Sequence, residues 1–338
     1  MARLNQFGGE IAAIAILGLS FLVPFVTDSP FVYSTQNLIA VAVTAAFSVY
    51  IMLRMDLLTF AVPAFMAIGG YAAAIAGLKG GIVDSFALTA LSFIAPALVA
   101  LPLGILILRL RGIYFVLVTF LLTQILQLLI FETPDLTGGT NGLVGMPATT
   151  LFGIELADNR AVLLLAIGVA FAAAVITALV SVWLRREFAA IEENEVLAQS
   201  LGLVVWRYKV IGFVAAAGLA GMAGFSLVNM LLTAHPTSFS PQSSVNYIAY
   251  TIIGGRGSML GPLVGATLLV WMSSIFSTHG EFSEGLYGLL IVVVVLAARG
   301  GIVGTLAAGY RRLSGQWRAG GSAAPIVGTV KEAAHERG

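Results

Sequence analysis

The sequence predicts an all-α fold, a polytopic transmembrane helical bundle of about eight full spans with a re-entrant or broken helix pair near 245–276. Three observations predict it. The 338 residues are 59% apolar and only 10% charged, whereas an ordinary soluble domain carries about 25% charged residues. Charge therefore cannot cover the surface, and the bilayer must be the solvent for most of it. Apolar runs of spanning length recur near 11–26, 36–53, 57–78, 86–108, 112–131, 160–184, 210–232 and 285–298. They lack period-2 alternation, which argues against an outer-membrane barrel. The basic residues also sort by side, as positive-inside orientation requires.

That sorting orients each element in turn. Residues 11–26 have the length of a signal peptide, but Pro24 and Asp28 stand where a small-residue cleavage site belongs, so the run reads as a retained first helix. With Arg3 inside, successive loops place Arg54, Arg109 with Arg111, Arg185 to Lys209, and the tail from Arg299 inside as well. Of the 17 basic residues only Lys79 and Arg160 fall outside, with Arg256 unassigned, which leaves 14 inside.

The same count constrains residues 245–276, which begin and end outside. Their 32 residues reach about 48 Å as helix at ~1.5 Å per residue. Two crossings of a ~30 Å hydrocarbon layer need roughly 60 Å. A broken pair of half-helices turning at Gly254-Gly255-Arg256-Gly257-Ser258 satisfies the arithmetic, at a depth where irregular backbone must be surrounded by protein or a water-filled cavity. A single crossing would put the basic C-terminus outside. Gly257, Gly261 and Gly265 recur every fourth residue, a spacing that admits close helix approach. The external loop 132–159 carries Gly138, Gly139, Thr140, Asn141 and Gly142 in one stretch, which specifies a tight turn with positive φ angles. The chain thus divides into a transmembrane domain over 1–310, including a cytoplasmic loop at 185–209, and a Gly- and Ala-rich tail over 311–338 without periodicity, expected to be disordered.

The cytoplasmic loop holds four of the 16 acidic and four of the 17 basic residues. It reads as a short surface helix with Phe188, Ile191, Ala198 and Leu201 near one face, and Glu192, Glu193, Asn194 and Glu195 on the other side and its edges. Gly202 supplies its stop. A helix lying on lipid favours Lys and Arg on its polar face. An acidic face instead points to docking against a soluble protein.

Composition and motifs exclude several functions. A net charge of +1 gives no basis for a nucleic-acid partner. Cysteine is absent, so thiol chemistry is excluded. No G-x-x-x-x-G-K-[ST] loop occurs, so this chain cannot hold ATP on a P-loop. His235, His279 and His335 lack ligand spacing and give no metal site. No Asp, Glu, Lys or His sits in the middle of a span, where proton- or sodium-coupled carriers place their relays. Gln124 and Gln127 lie in the run 112–131, Asn229 in the run 210–232, and Ser273 and Ser274 near the end of the re-entrant region. Bonding between helices is the favoured reading for them, at about 0.6–2 kcal/mol each, ahead of contact with a solute.

Several blocks carry a family resemblance. AIEENEVLAQSLG at 190–202 resembles the coupling loop of ABC importer membrane subunits, specifically the LivM-type permeases of branched-chain amino acid transporters. LRLRGIYFVLVTF at 108–120, TGGTNGL at 137–143, RYKVIGFVAAAGLAGMAG at 207–224, IGGRGSMLGPLVGA at 253–266 and GLYGLLIVVVVLAARGGIVG at 285–304 are similar to that family's blocks in the family's order. The resemblance implies a multi-pass protein of the bacterial inner membrane, not an enzyme and with no cofactor of its own, translocating branched-chain amino acids or a related small solute. Family members also carry urea, amides and aromatic acids. It further implies cytoplasmic ABC ATPase subunits that hydrolyse the ATP, a second, LivH-type permease, and a periplasmic substrate-binding protein, with membrane lipid around the whole. Glu192, Glu193, Asn194, Glu195, Ala198, Leu201 and Gly202 would meet the ATPase. Gly138, Gly139, Thr140, Asn141 and Gly142, with Gly254, Gly255 and Gly257, would lie toward the binding protein or the path. The chain departs from the family pattern in two places. Glu192 stands where a basic residue is usual, and 58–71 reads LTFAVPAFMAIGGY, with Thr59, Ala61 and Val62 replacing Ser, Gly and His. The rival from another class is a stand-alone channel or secondary carrier.

Overall fold

The computed structural model describes residues 8–276 apart from 28 and 152, three isolated positions at 285, 288 and 292, and residues 301–305. The span expected near 285–298 lies outside the described residues apart from those three positions, as does the whole tail 311–338.

In chain order the helices are α1 Gly8–Ser20, α2 Val23–Val26, α3 Pro30–Leu53, α4 Val62–Leu78, α5 Ser85–Ile107, α6 Ile113–Glu132 and α7 Pro134–Thr137, then α8 Asn159–Trp183, α9 Arg185–Glu193, α10 Glu195–Ser200, α11 Val205–Leu231, α12 Pro241–Gly254 and α13 Leu260–Phe276. Six stretches among the described residues are long and apolar enough to cross a membrane, and α4 and α13 are shorter apolar helices. The expected all-α bundle is therefore present, with each expected run up to residue 232 forming a helix.

Local chemistry sets the ends. Pro24, which lacks a backbone N–H, stands in the first turn of α2 and divides the first run into α1 and α2. The Asp84 carboxylate accepts from the Ala87 N–H at 2.9 Å and caps α5. The run expected from 57 becomes helical only at Val62. Asp56 is left-handed, at φ 56°, and Leu57 N–H closes back on the Met52 carbonyl at 3.0 Å. Pro63 then restarts the helix in its first turn. Between them the peptide of Phe60 is outside any helix, and side chains satisfy it. Its N–H donates to Thr119 Oγ1 at 3.1 Å, and its carbonyl accepts from Thr123 Oγ1 and Ser244 Oγ, each at 2.8 Å. Irregular backbone inside an apolar bundle survives only when protein supplies such partners.

Helix α11 is the hub, packing on α3, α4, α5 and α8. It reaches them through small residues, as helices in lipid do. Pro96 in α5 has no N–H for the Ser92 carbonyl, and that carbonyl faces Gly221, where a Cβ would collide with it. Gly224 lies as close to the Met66 carbonyl of α4. Gly221→Ala should lower stability by about 1–3 kcal/mol, the usual cost of overpacking. Gly168→Ala, with open space around its Cα, should leave stability unchanged. Thermal denaturation of the purified protein in detergent checks both.

Helices α12 and α13 form the expected broken pair. Gly254, Gly261 and Gly265 bring their backbones into contact. Gly257 does not take part as its spacing suggested. It sits in the connecting turn with nothing near its Cα, and Gly254 holds its place in the packing. The depth of the turn also differs from the expectation of a half-way return. Gly257 and Ser258 line one cavity with Gly9, Arg54 and Arg185, so the turn reaches the charged inner end. The descending limb is longer than 245–254 because it starts at the external end of α11. There β4, Thr233–Ala234, pairs antiparallel with β1, Leu143–Val144. A 3-10 turn, Pro236–Phe239, follows before α12. Extended residues cover more distance per residue than helical ones. A short hairpin, β2 Thr150–Leu151 with β3 Ile154–Glu155, completes the external cap.

Candidate functional site

Helices α9 and α10 stand at the inner end of the bundle, where one surface helix was expected. The chain breaks at Asn194, which is extended at φ −163° and ψ 106°, and the Asn194 side chain accepts from Leu197 N–H at 3.0 Å. Asn competes poorly for a helix interior and well for a cap, so the helix ends and restarts. Gly202, at φ 90°, then stops α10 as expected. Leu203 N–H returns to the Ala198 carbonyl at 3.0 Å, the bond of a Schellman turn.

The break changes which side chains face inward. Phe188, Ile191 and Ala198 are buried as expected. Phe188 fits against Gly212 of α11 and Met55, while Ile191, Ala198 and Val205 make a small core of their own. Leu201, expected on that face, is instead 80% exposed, because α10 restarts in a new phase and ends before it. Val196 and Leu197 are exposed beside it.

The acidic face also needs correction. Glu192 pairs with Arg54 at 3.7 Å. Glu195 pairs with Lys209 at 2.9 Å and Arg111 at 3.5 Å, and accepts a further bond from Gln199 Nε2 at 3.3 Å. Two of the acids therefore turn toward the chain's own cations, and Glu193 and Asn194 remain exposed. Lys209 retains 6% side-chain exposure. A charge so far out of water needs a partner, and Glu195 provides it. The departure at Glu192 has a local cause in the same geometry, since the acid there meets Arg54.

The hairpin is thus tied to two turns and a helix: through Arg54 to the α3–α4 turn, through Arg111 to the α5–α6 turn, and through Lys209 to α11. Trp183 and Trp206 flank it, both exposed. Val196, Leu197 and Leu201, which lie between them in the chain, are exposed as well.

The external glycine turn is as the sequence implied. Gly138, Gly139 and Gly142 have φ of 77°, 59° and 67°. A Cβ on Gly138 would strike the Gly142 carbonyl, and one on Gly142 the Ala234 carbonyl. Thr140 and Asn141 are exposed at its tip. Gly254 and Gly255 are buried in the α12–α13 contact, far from that turn along the chain. Asn229 accepts from Thr149 at 3.2 Å, and Ser274 bonds back to the Val270 carbonyl. Gln124 and Gln127 have no hydrogen bond to any described residue, so the bonding between helices expected of them is absent there. Among the described residues no cluster of His, Cys, Asp and Glu could hold a metal.

Residues 32–298 match the family described as the permease component of branched-chain amino acid transport systems. The chain belongs to that family. This permease is 27% identical over 312 residues to the high-affinity branched-chain amino acid transport system permease protein LivM of Salmonella typhimurium, covering 85% of this chain and 73% of that protein. It is 28% identical over the same length to LivM of Escherichia coli, with the same coverage. A shorter match, 29% over 114 residues and about a third of each chain, joins it to the xylose/arabinose import permease protein XylH of Sulfolobus acidocaldarius. These relatives are transport permeases rather than enzymes. No solved structure matches the chain.

The sequence did not reveal Arg54 and Arg111 as cations that hold the hairpin, because they lie in two other loops, and Lys209, though in the same loop, meets Glu195 only after the chain turns back at Gly202. Nor did it reveal the Phe60 clamp. Its only trace is Thr119 and Thr123, four residues apart on α6, and a proline just after the unwound peptide.

Proposed function

We propose that this permease is the membrane-spanning subunit of an ATP-driven importer of the bacterial inner membrane, and that its cargo is a branched-chain amino acid or a closely related small solute. The observation that carries the reading is the α9–α10 hairpin. It is bonded through Glu192 and Glu195 to the α3–α4 turn, the α5–α6 turn and α11, and it offers an apolar, water-facing surface to a soluble partner. That partner is a cytoplasmic ABC ATPase, which binds and hydrolyses the ATP; this chain contributes no nucleotide loop. Val196, Leu197 and Leu201, with Glu193, Asn194 and Gly202 around them, form the docking face. Ala198 supports it from beneath.

The mechanism follows from those bonds. A partner that binds the hairpin more tightly in one arrangement of the bundle than another shifts the bundle toward that arrangement, by no more than the affinity difference. Displacing the hairpin pulls on Arg54, Arg111 and Lys209 together, so α3, α5 and α11 respond as a set. The permease then opens alternately to the two sides. A second, LivH-type permease completes the path, and a periplasmic binding protein delivers the solute at the face bearing the Gly138–Gly142 turn. Membership of the branched-chain amino acid family supports the cargo, and the identity shared with the LivM proteins supports the partners.

Proteoliposomes carrying the permease with its ATPase, second permease and binding protein should accumulate labelled L-leucine only when ATP is supplied on the ATPase side. Competition with isoleucine, valine, urea, short amides and phenylalanine ranks the cargo. Flux through liposomes holding this chain alone would overturn the reading in favour of a channel or secondary carrier.

A further inference from the structure

Four amide side chains stand on the outer surface of the bundle where the membrane interior should be. Gln124 of α6 and Gln242 of α12 are exposed, and Gln127 and Asn246 on the same two helices are half-buried. None of the four has a hydrogen bond to a described residue. Their depth follows from helix rise. Gln124 lies about 16 Å along α6 from its inner end, and Gln242 about 18 Å above the inner turn of α12, at ~1.5 Å per residue. Both values are near the middle of a ~30 Å hydrocarbon layer. The two helices meet at Phe60, whose carbonyl accepts from Thr123, next to Gln124, and from Ser244, midway between Gln242 and Asn246. An unpaired amide in hydrocarbon costs several kcal/mol, so these groups do not face lipid.

We propose that Gln124, Gln127, Gln242 and Asn246 line a water-filled route across the membrane, and that its occupant is a small zwitterion with an aliphatic side chain. This deepens the transport reading above and rests on it. Amides carry a donor and an acceptor each, so one uncharged surface can meet both an ammonium and a carboxylate without holding either tightly. No ionised group adjoins them on α6 or α12, both of which are free of Asp, Glu, Lys and Arg between Ile113 and Phe131 and between Pro241 and Gly254. Val245 and Ile252 are exposed on the same helix as Asn246, and they supply apolar contact for the aliphatic side chain. The neighbouring unwound peptide at Phe60 fits a protein wall rather than a lipid boundary, for the reason given above.

The absence of cysteine makes the test direct. Gln124→Cys, Gln242→Cys and Asn246→Cys are each placed in the full transporter, with its partner subunits, and treated with a membrane-impermeant cationic methanethiosulfonate. Leu98→Cys, on the exposed face of α5 at similar depth, is the lipid-facing control, and the unsubstituted transporter controls for partner cysteines. All three amide-site cysteines should react while Leu98→Cys does not, saturating L-leucine should slow their reaction, and modification should abolish uptake. Failure of the three sites to react in a complex that still transports overturns the proposal, as does reaction that leaves uptake unaltered. Absence of ATP-dependent leucine uptake by the unsubstituted transporter strikes the cargo reading instead, and the pattern of reactivity still reports whether the route is aqueous.

Discussion

Glu195→Ala should uncouple the transporter: ATP hydrolysis continues in the assembled complex while solute uptake falls to background. Glu195 is where α10, α11 and the α5–α6 turn are bonded to one carboxylate, with Lys209 at 2.9 Å and Arg111 at 3.5 Å. The substitution leaves Lys209 buried and unpaired. Losing one partner of a fully buried pair costs roughly 3–5 kcal/mol. Glu195 is itself 25% exposed, so solvent screens the pair and about 2 kcal/mol is expected. Loss of stability alone could lower uptake, and the double variant Glu195→Ala/Lys209→Met separates the two effects. It removes the orphaned charge and should restore the denaturation midpoint, yet uptake should remain lost because the tie between hairpin and α11 is gone. Recovery of uptake in the double variant would show that Glu195 serves stability and nothing more.

Leu197→Asp/Leu201→Asp should detach the ATPase without unfolding the permease. Both side chains are exposed, and exposed substitutions away from caps and cores usually change stability by no more than about 0.5 kcal/mol. Apolar residues central to an interface are hot spots whose truncation commonly costs about 2 kcal/mol or more. Two of them replaced by carboxylates should weaken association by roughly three orders of magnitude, since each 1.4 kcal/mol is tenfold. Co-purification of the ATPase with tagged permease, and an unchanged melting profile of the permease alone, are the two measurements. Retention of the ATPase would place the docking surface elsewhere on the inner face.

The two variants probe opposite sides of one small unit. Glu195 faces inward to the bundle and Leu201 outward to the partner, although they lie six positions apart on what reads in sequence as a single helix. The difference comes from Asn194. Its cap restarts the helix, and an apolar period carried across the break misplaces Leu201 at its far end. Phe188 and Ile191 before the break, and Ala198 just after it, are buried as the period predicts; Leu201, beyond the end of α10, is exposed.

Composition and the order of charges determined much about this protein by themselves. A chain this apolar has no stable alternative to spanning helices, because in hydrocarbon each backbone group must be bonded within its own segment or a closed barrel. The glycine turn at 138–142 followed from backbone sterics, a local property. The position of the broken pair was legible for the same reason. Tertiary structure alone decided how the pieces are joined. Arg54 and Arg111 reach α9–α10 across long stretches of sequence, and their pairing, with that of Lys209, turns an apparently acidic face into an apolar one. Thr119, Thr123 and Ser244 converge on Phe60, which permits a peptide to leave its helix inside the bundle. The depth of the α12–α13 turn depended on extended residues borrowed from the external cap. Each of these is a contact between distant segments, and a side chain's partner at that range is set by packing geometry that no local pattern encodes.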